Sequence, residues 1–312
     1  MVDRKPNFFI VGAPKCGTSS MYYYLKQHPQ IYMPEHHKEP HFFVTDFPSI
    51  RFKHGLDEYL GLFSNAENEP RIGEATTWYL YSKLAAGEIK AFEPEAKIII
   101  MLRNPVDLMY SLHNQWIFSG NEDVFDFFQA LSLEDRRKKG QSLPQKCFFP
   151  QGLFYKEVAR FGEQVKRYLD AFGKENVHVI IFEDFKIQTD RIYRNVIRFL
   201  DVDANYTPDF GIINVSKRAY MSGINRFLFS TNPTALIPRI VKRIISPNMR
   251  QKIRKKIIML NTYAYERKPL HESFKRELLM EFEQDIRSLS EIIGRDLKCW
   301  SYNDNTGDRN RY

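Results

Sequence analysis

Cysteine is scarce in this 312-residue chain. Its three copies, Cys16, Cys147 and Cys299, are too few and too scattered for a disulfide framework or a zinc site. That usage suits a reducing compartment. Long apolar runs are also missing. Nothing approaches the roughly 20 apolar residues of a membrane-crossing helix, and the stretch Phe8 to Val11 is far too short for the hydrophobic region of a secretory signal. The expectation is a cytoplasmic chain. There is no internal repeat and no low-complexity linker, so 1–312 is read as one domain. Acidic residues are outnumbered, 38 Asp and Glu against 46 Lys and Arg, which leaves a formal charge of +8. Such a balance points to an anionic partner, and nucleic acid, a membrane surface, a nucleotide or an acidic polymer would each fit.

Hydrophobic residues at 43% and aromatics at 14% are enough for a sizeable core, which excludes wholesale disorder. Short β-rich runs alternate with longer helical patterns, and this argues for a parallel sheet flanked by helices. Strands are expected at Phe8 to Val11, Arg71 to Glu74, Lys97 to Leu102 and Val177 to Phe182. Helices are expected at Thr18 to Gln27, Val106 to Phe118 and Asp190 to Leu200. An amphipathic helix is expected over Phe154 to Phe172, where Val158, Phe161, Val165, Tyr168, Leu169 and Phe172 share one face. From Gly223 the pattern is helical, broken at Pro233, Pro238, Pro247 and Pro269, and a last long helix runs from Ser273 to Ile293. The fold class is therefore α/β, a P-loop-like parallel sheet with a helical C-terminal part over about 223–300 and a disordered tail at 301–312.

Gly12-Ala13-Pro14-Lys15-Cys16-Gly17-Thr18-Ser19-Ser20 falls between a strand and a helix. Backbone N–H groups and the positive end of a helix dipole can hold an anion there. Gly12 and Gly17 permit close backbone approach, and three hydroxyls add donors. A nucleoside-triphosphate Walker loop would have its lysine where Thr18 stands, but the lysine here lies inside the loop at Lys15. A Mg²⁺-dependent P-loop kinase, the alternative reading, also needs an acidic residue ending a second strand. The strand Lys97 to Leu102 ends instead in Arg103-Asn104-Pro105. An arginine repels a metal ion and attracts a phosphate.

These residues resemble the sulfotransferases that use 3′-phosphoadenosine-5′-phosphosulfate (PAPS). In that family a loop P-K-x-G-T-[ST] binds the 5′-phosphosulfate, and it reads Pro14-Lys15-Cys16-Gly17-Thr18-Ser19 here. A second segment, R-[ND]-P-x-x-x-x-x-S, binds the 3′-phosphate, and it runs here from Arg103 to Ser111. The resemblance implies PAPS as donor, its bisphosphate PAP as product, no required metal, and a donor site formed by Lys15, Cys16, Gly17, Thr18, Ser19, Ser20, Arg103 and Ser111. A late basic loop closes over the nucleotide in the family, which suggests Lys217 or Arg218.

Lys38-Glu39-Pro40-His41-Phe42-Phe43 is similar to the K-E-x-H-F-F segment of the glycan (heparan-type) sulfotransferases. The likeness implies Glu39 as general base on the acceptor, Lys15 as stabiliser of the leaving phosphate, and His41 as an orienting or assisting group. Lys38 would hold sulfate oxygens. Gly73-Glu74-Ala75-Thr76-Thr77-Trp78-Tyr79 resembles the substrate-side segment E-K-[ST]-P-x-Y, although Ala75 replaces its lysine and Thr77 its proline. Glu74, Thr76 and Tyr79 are expected to line the acceptor cleft. The acceptor implied is a glycan, a glycolipid or a small-molecule alcohol.

Eight Lys or Arg and no acid lie between Arg239 and Lys256, interleaved with isoleucines. This segment suits peripheral contact with an anionic surface, or a solvated helix face. A nucleic-acid-binding module is disfavoured, since no recognised motif or stacking array accompanies the charge.

Overall fold

A computed structural model describes residues 4–35, 38–52, 55–211, 217–219, 247–264 and 269–300. Five strands form one wholly parallel sheet: β1 (Phe8–Gly12), β2 (Ile31–Tyr32), β3 (Arg71–Ala75), β4 (Lys97–Leu102) and β5 (Val177–Ile181), in the order β2-β3-β1-β4-β5. Every residue of β1 is buried. That is why Phe-Phe-Ile-Val carries no polar alternation: a central parallel strand is covered on both faces. The chain adds β2 and β3 on one side of β1, then β4 and β5 on the other. The order thus reverses at the β1/β4 boundary, and ligands of open α/β sheets bind beyond the carboxyl ends of the strands at such a switch point.

The helices are α1 (Thr18–Lys26), α2 (Leu56–Leu60), α3 (Ala85–Phe92), α4 (Pro105–Ser119), α5 (Phe127–Ser132), α6 (Glu134–Lys138), α7 (Tyr155–Val158), α8 (Phe161–Phe172), α9 (Phe182–Ile187), α10 (Thr189–Phe199), α11 (Pro247–Leu260), α12 (Glu272–Glu281) and α13 (Glu283–Ile293). The chain divides into two compact units: Met1–Leu108, Val158–Ile213 and Leu270–Tyr312 form the first, and Met109–Glu157 with Asn214–Pro269 form the second. The sequence reading treats 1–312 as one domain. In the first unit α8 packs on β4 and β5, α3 and α13 pack on α8, and α1 packs on β1. In the second, β6 (Lys217–Ala219) pairs antiparallel with β7 (Thr262–Ala264). Among the described residues no helix is long and apolar enough to cross a membrane.

Four expected boundaries differ. The helix expected over Phe154 to Phe172 breaks at Ala159 and Arg160, and α8 restarts because the Asp285 carboxylate accepts the N–H groups of Phe161 and Gly162 at 2.9 and 3.1 Å. That cap comes from a residue far along the chain, so no local signal announces it. The helix expected from Ser273 to Ile293 is likewise interrupted at Phe282, which is buried. Pro247, read as a break, opens α11, a position where its missing N–H costs nothing. A strand, β7, lies within the stretch read as wholly helical. Residues 220–246 and the tail 301–312 lie outside the described residues.

Candidate active site

Two loops leave the carboxyl edge of neighbouring strands. The first joins β1 to α1, and the Ala13 N–H bonds to the Met101 carbonyl of β4 at 2.7 Å, which ties it to the base of the second. Gly17 caps α1 at φ 87°, in the left-handed region, and a Cβ there would sit 2.9 Å from the Phe182 ring. Both facts demand glycine. Lys15 is also left-handed at φ 65°. No side chain caps α1 and its first turn holds no acid. The first N–H groups of a helix have no intrahelical acceptor, so this end keeps its positive character. Thr18 is buried, while Ser19 and Ser20 are half-buried. The Cys16 side chain is wholly buried, its Sγ 3.4 Å from the Pro14 carbonyl, so it offers a ligand no side-chain group.

The second loop begins at Arg103. Its guanidinium lies over the Phe182 ring, Cζ 4.8 Å from the centroid, and reaches Asp107 only at 3.9 Å. Its Nε is buried without a hydrogen-bond partner among the described residues. Asn104 caps α4, its Oδ1 accepting from Val106 N at 3.0 Å, and Pro105 takes the first helical position. Glu183 locks this turn: it accepts Asn104 N–H at 3.2 Å and Trp300 Nε1–H at 3.1 Å. The two loops meet electrostatically at Cys16. Burial pushes its thiol far up, Arg103 and Lys15 pull it down, and Glu183 opposes them. Both loops also close on the Phe182 ring, the first through Gly17 and the second through Arg103. Ser111 is buried in α4, in the second unit. Lys217 and Arg218 stand in β6 opposite Ala264 and Tyr263, and their side chains lie outside the described residues.

The third element is the segment 38–43. Glu39 Oε1 accepts from Lys38 Nζ at 2.9 Å, and Oε2 lies 3.4 Å from the Thr77 hydroxyl and 3.8 Å from His41 Nε2. Burial raises the Glu39 carboxyl, but Lys38 and His41 more than offset it and the net direction is down. Glu39 is therefore ionised at neutral pH. Burial lowers His41, against the pull of Glu39, so the imidazole is neutral there. Lys38, read as a sulfate ligand, is in this arrangement the counter-ion of Glu39.

Glu74, Thr76 and Tyr79 were expected to line an acceptor cleft, but they are at most 1% exposed and lie in the core. Glu74 receives hydroxyl hydrogen bonds from Tyr59 and Tyr79, and from Thr76 at 2.7 Å. Thr76 Oγ1 accepts the His41 N–H at 3.3 Å, and the Tyr79 hydroxyl accepts those of Phe42 and Phe43 at 3.0 and 3.3 Å. These side chains bond the backbone of the Glu39 segment from within.

Sequence reasoning missed Phe182, Thr77, Tyr59 and Glu183. Phe182 reads as the last residue of an apolar strand, and nothing local marks it as the ring against which Gly17 and Arg103 close. Thr77 could have been found, since it replaces the proline of the motif by a donor. In α11, Ile253 and Ile257 are exposed, and residues 239–246 of the basic segment lie outside the described residues.

A family profile described as sulfotransferase domain matches residues 5–287. Mouse carbohydrate sulfotransferase 15 is 29% identical over 248 residues, covering 63% of this chain and 44% of its own length. The human bifunctional heparan sulfate N-deacetylase/N-sulfotransferase 2 is 25% identical over 215 residues, covering 66% of this chain and 23% of its own. The chain spans less than half the length of these curated relatives. A solved sulfotransferase from Alicyclobacillus acidocaldarius superimposes with a TM-score of 0.68 at 30% identity, covering 95% of this chain and 98% of its own.

Proposed function

The chain belongs to the sulfotransferase domain family, and on that premise we propose that it transfers a sulfuryl group from PAPS to a carbohydrate acceptor. One observation carries the donor assignment: the loops that bear Lys15 and Arg103, distant in sequence, leave neighbouring strands at the sheet's switch point and close on one ring, Phe182, which lies against Gly17 and under the Arg103 guanidinium. A nucleotide with phosphate at both ends of its ribose fits such a pair of grips. The loop 13–20 would take the phosphosulfate end on backbone N–H groups and the Ser19 and Ser20 hydroxyls. Arg103, braced flat on Phe182 and with a buried Nε to satisfy, would take the 3′-phosphate.

Glu39 serves as general base. It accepts the acceptor's proton while the acceptor oxygen bonds to sulfur and the bridging bond from sulfur to the 5′-phosphate breaks. Lys38 keeps Glu39 charged but also weakens it as a base. Proton transfer therefore accompanies bond formation to sulfur instead of preceding it. Lys15 and the positive end of α1 meet the charge that develops on the departing phosphate. His41, neutral and next to Glu39, orients the acceptor. Both the Lys-Glu-Pro-His-Phe-Phe segment and the named activities of the relatives favour a carbohydrate.

Calorimetry with adenosine 3′,5′-bisphosphate in the absence of metal tests the donor site, and labelled PAPS with desulfated heparan and chondroitin tests transfer. Glu39→Gln is expected to lower turnover by about 10²–10⁴ while the bisphosphate affinity stays as it was. Tight binding of ATP-Mg²⁺ with no response to the bisphosphate would sink the donor reading. Undiminished turnover in Glu39→Gln would remove the base.

A further inference from the structure

We propose that Glu74 is a positioning residue for Glu39: its carboxylate fixes the hydrogen polarity of Thr76 and Tyr79, which clamp three consecutive backbone N–H groups beneath the base. The inference rests on the reading of Glu39 above.

The Tyr79 oxygen accepts two N–H groups, from Phe42 and Phe43, so its own hydrogen must turn elsewhere, and of the two side chains beside it, Glu74 and Thr76, the carboxylate is the stronger acceptor. The Thr76 oxygen accepts the His41 N–H and gives its hydrogen to Glu74 Oε1 at 2.7 Å. Tyr59 supplies a third hydroxyl hydrogen. Only an acceptor with no hydrogen of its own satisfies all three, and an ionised carboxylate is that group. With Glu74 in place both hydroxyls turn their lone pairs toward the segment 41–43. Held this way, His41 adopts a left-handed backbone at φ 58°, unusual for a side chain other than glycine. Phe42 is pinned in turn by a parallel stack on Tyr59, centroids 4.1 Å apart. Glu39, two residues before His41, takes its aim from this clamp.

Among the described residues, the groups that face Glu74 are Tyr59 from α2, Thr76 and Tyr79 from the turn after β3, Glu39 from the segment itself, and Tyr168 from α8. No cation is among them. Burial pushes Glu74 up to about 7, against the pull of its three hydroxyl donors, and the Glu39 charge adds to the rise. A protonated Glu74 brings a hydrogen into a nest that already has three, and one hydroxyl must turn away. The clamp therefore loosens as pH falls through about 7.

The test uses the full chain, labelled with ¹⁵N, and follows hydrogen exchange at the His41, Phe42 and Phe43 amides. Turnover of PAPS on desulfated heparan is measured beside it. Glu74→Gln, which brings two hydrogens, is expected to speed exchange at all three amides by about tenfold. The same variant should lower kcat by a similar factor at unchanged KM for PAPS. In the unsubstituted chain, protection at these amides, corrected for intrinsic rates, should fall as pH drops through about 7. Thr76→Ser should keep the His41 protection and the activity, whereas Thr76→Val, of nearly the same volume, should lose both. That pair decides the matter if Glu74→Gln does not fold. Equal protection and kcat in Glu74→Gln, or equal behaviour of Thr76→Ser and Thr76→Val, would overturn the proposal. Glu39→Gln in the same series separates the two ideas. If it retains full turnover the general-base reading fails, and exchange alone judges the clamp.

Discussion

Two buried glutamates, one in each compact unit, are satisfied in opposite ways. Glu122, in the second unit, meets the guanidinium of Arg137 at 2.7 and 2.8 Å, with both side chains fully buried. The Tyr155 hydroxyl at 2.9 Å and the N–H groups of Asp123 and Val124 at 2.9 and 3.0 Å complete its shell. Among the described residues, Glu74, in the first unit, has hydroxyls around it and a second carboxylate nearby, and it is pushed up to about 7. The contrast shows what a counter-charge does. A carboxylate closed on a guanidinium fastens α6 to the segment after α4. A carboxylate closed on hydroxyls keeps a proton equilibrium near neutrality, which suits a group beside a reacting centre.

The largest expected effect tests the first half of that contrast. Arg137→Met leaves Glu122 buried without its charge partner and should cost about 3–5 kcal/mol of stability in urea unfolding. Replacing both partners with apolar residues of similar volume should recover most of the loss. A single variant that unfolds like the parent would show that the pair fastens nothing. Next in size is the pH dependence that Glu74 imposes. Its folded pKa lies above that of the unfolded chain, so its contribution to stability is complete below 4.5 and is lost as pH rises through about 7. Across that window it lowers stability by up to about 1.4 kcal/mol per pH unit. Glu74→Gln should flatten the slope, and an identical slope in parent and variant would break the comparison. Glu39 has the opposite sign: its pKa is lowered, so its contribution is present above 4.5 and is lost as pH falls through the folded value. The smallest effect concerns its neighbour. Thr77→Val removes one donor from Glu39 and should raise the Glu39 titration by a few tenths of a pH unit, read by ¹³C NMR of the side-chain carboxyl.

What was legible in the sequence follows the same division. β4 lies where its run of Ile and Met places it, and β1 and α4 follow from an apolar run and an Asn-Pro cap. The Lys15 and Arg103 loops were readable because each is contiguous and each sits at a strand-to-helix junction. The clamp was not. Tyr59, His41 and the pair Thr76 and Tyr79 come from three separate segments, and a buried hydroxyl looks the same in sequence as one that lines a cleft. The resemblance to a substrate-side motif puts Glu74, Thr76 and Tyr79 in an acceptor cleft, yet all three turn inward. The break before α8 was hidden for a related reason, since its cap, Asp285, belongs to another helix. Interactions that one stretch of chain can make alone were visible, and those needing two stretches to meet were not.

The adjacency of β1 and β4 has a further consequence. Neighbouring strands lie about 4.8 Å apart because backbone hydrogen bonds hold them there, whatever side chains they carry. The span between the two proposed phosphate grips is therefore a ruler cut into the main chain, and point substitutions leave its graduations in place. On the β3 side the backbone sets the same spacing to β1, but the step from there to the segment 41–43 is made by the Thr76 and Tyr79 side chains. On the proposed reading, donor length is matched by architecture, and acceptor choice is left to side chains that can be exchanged.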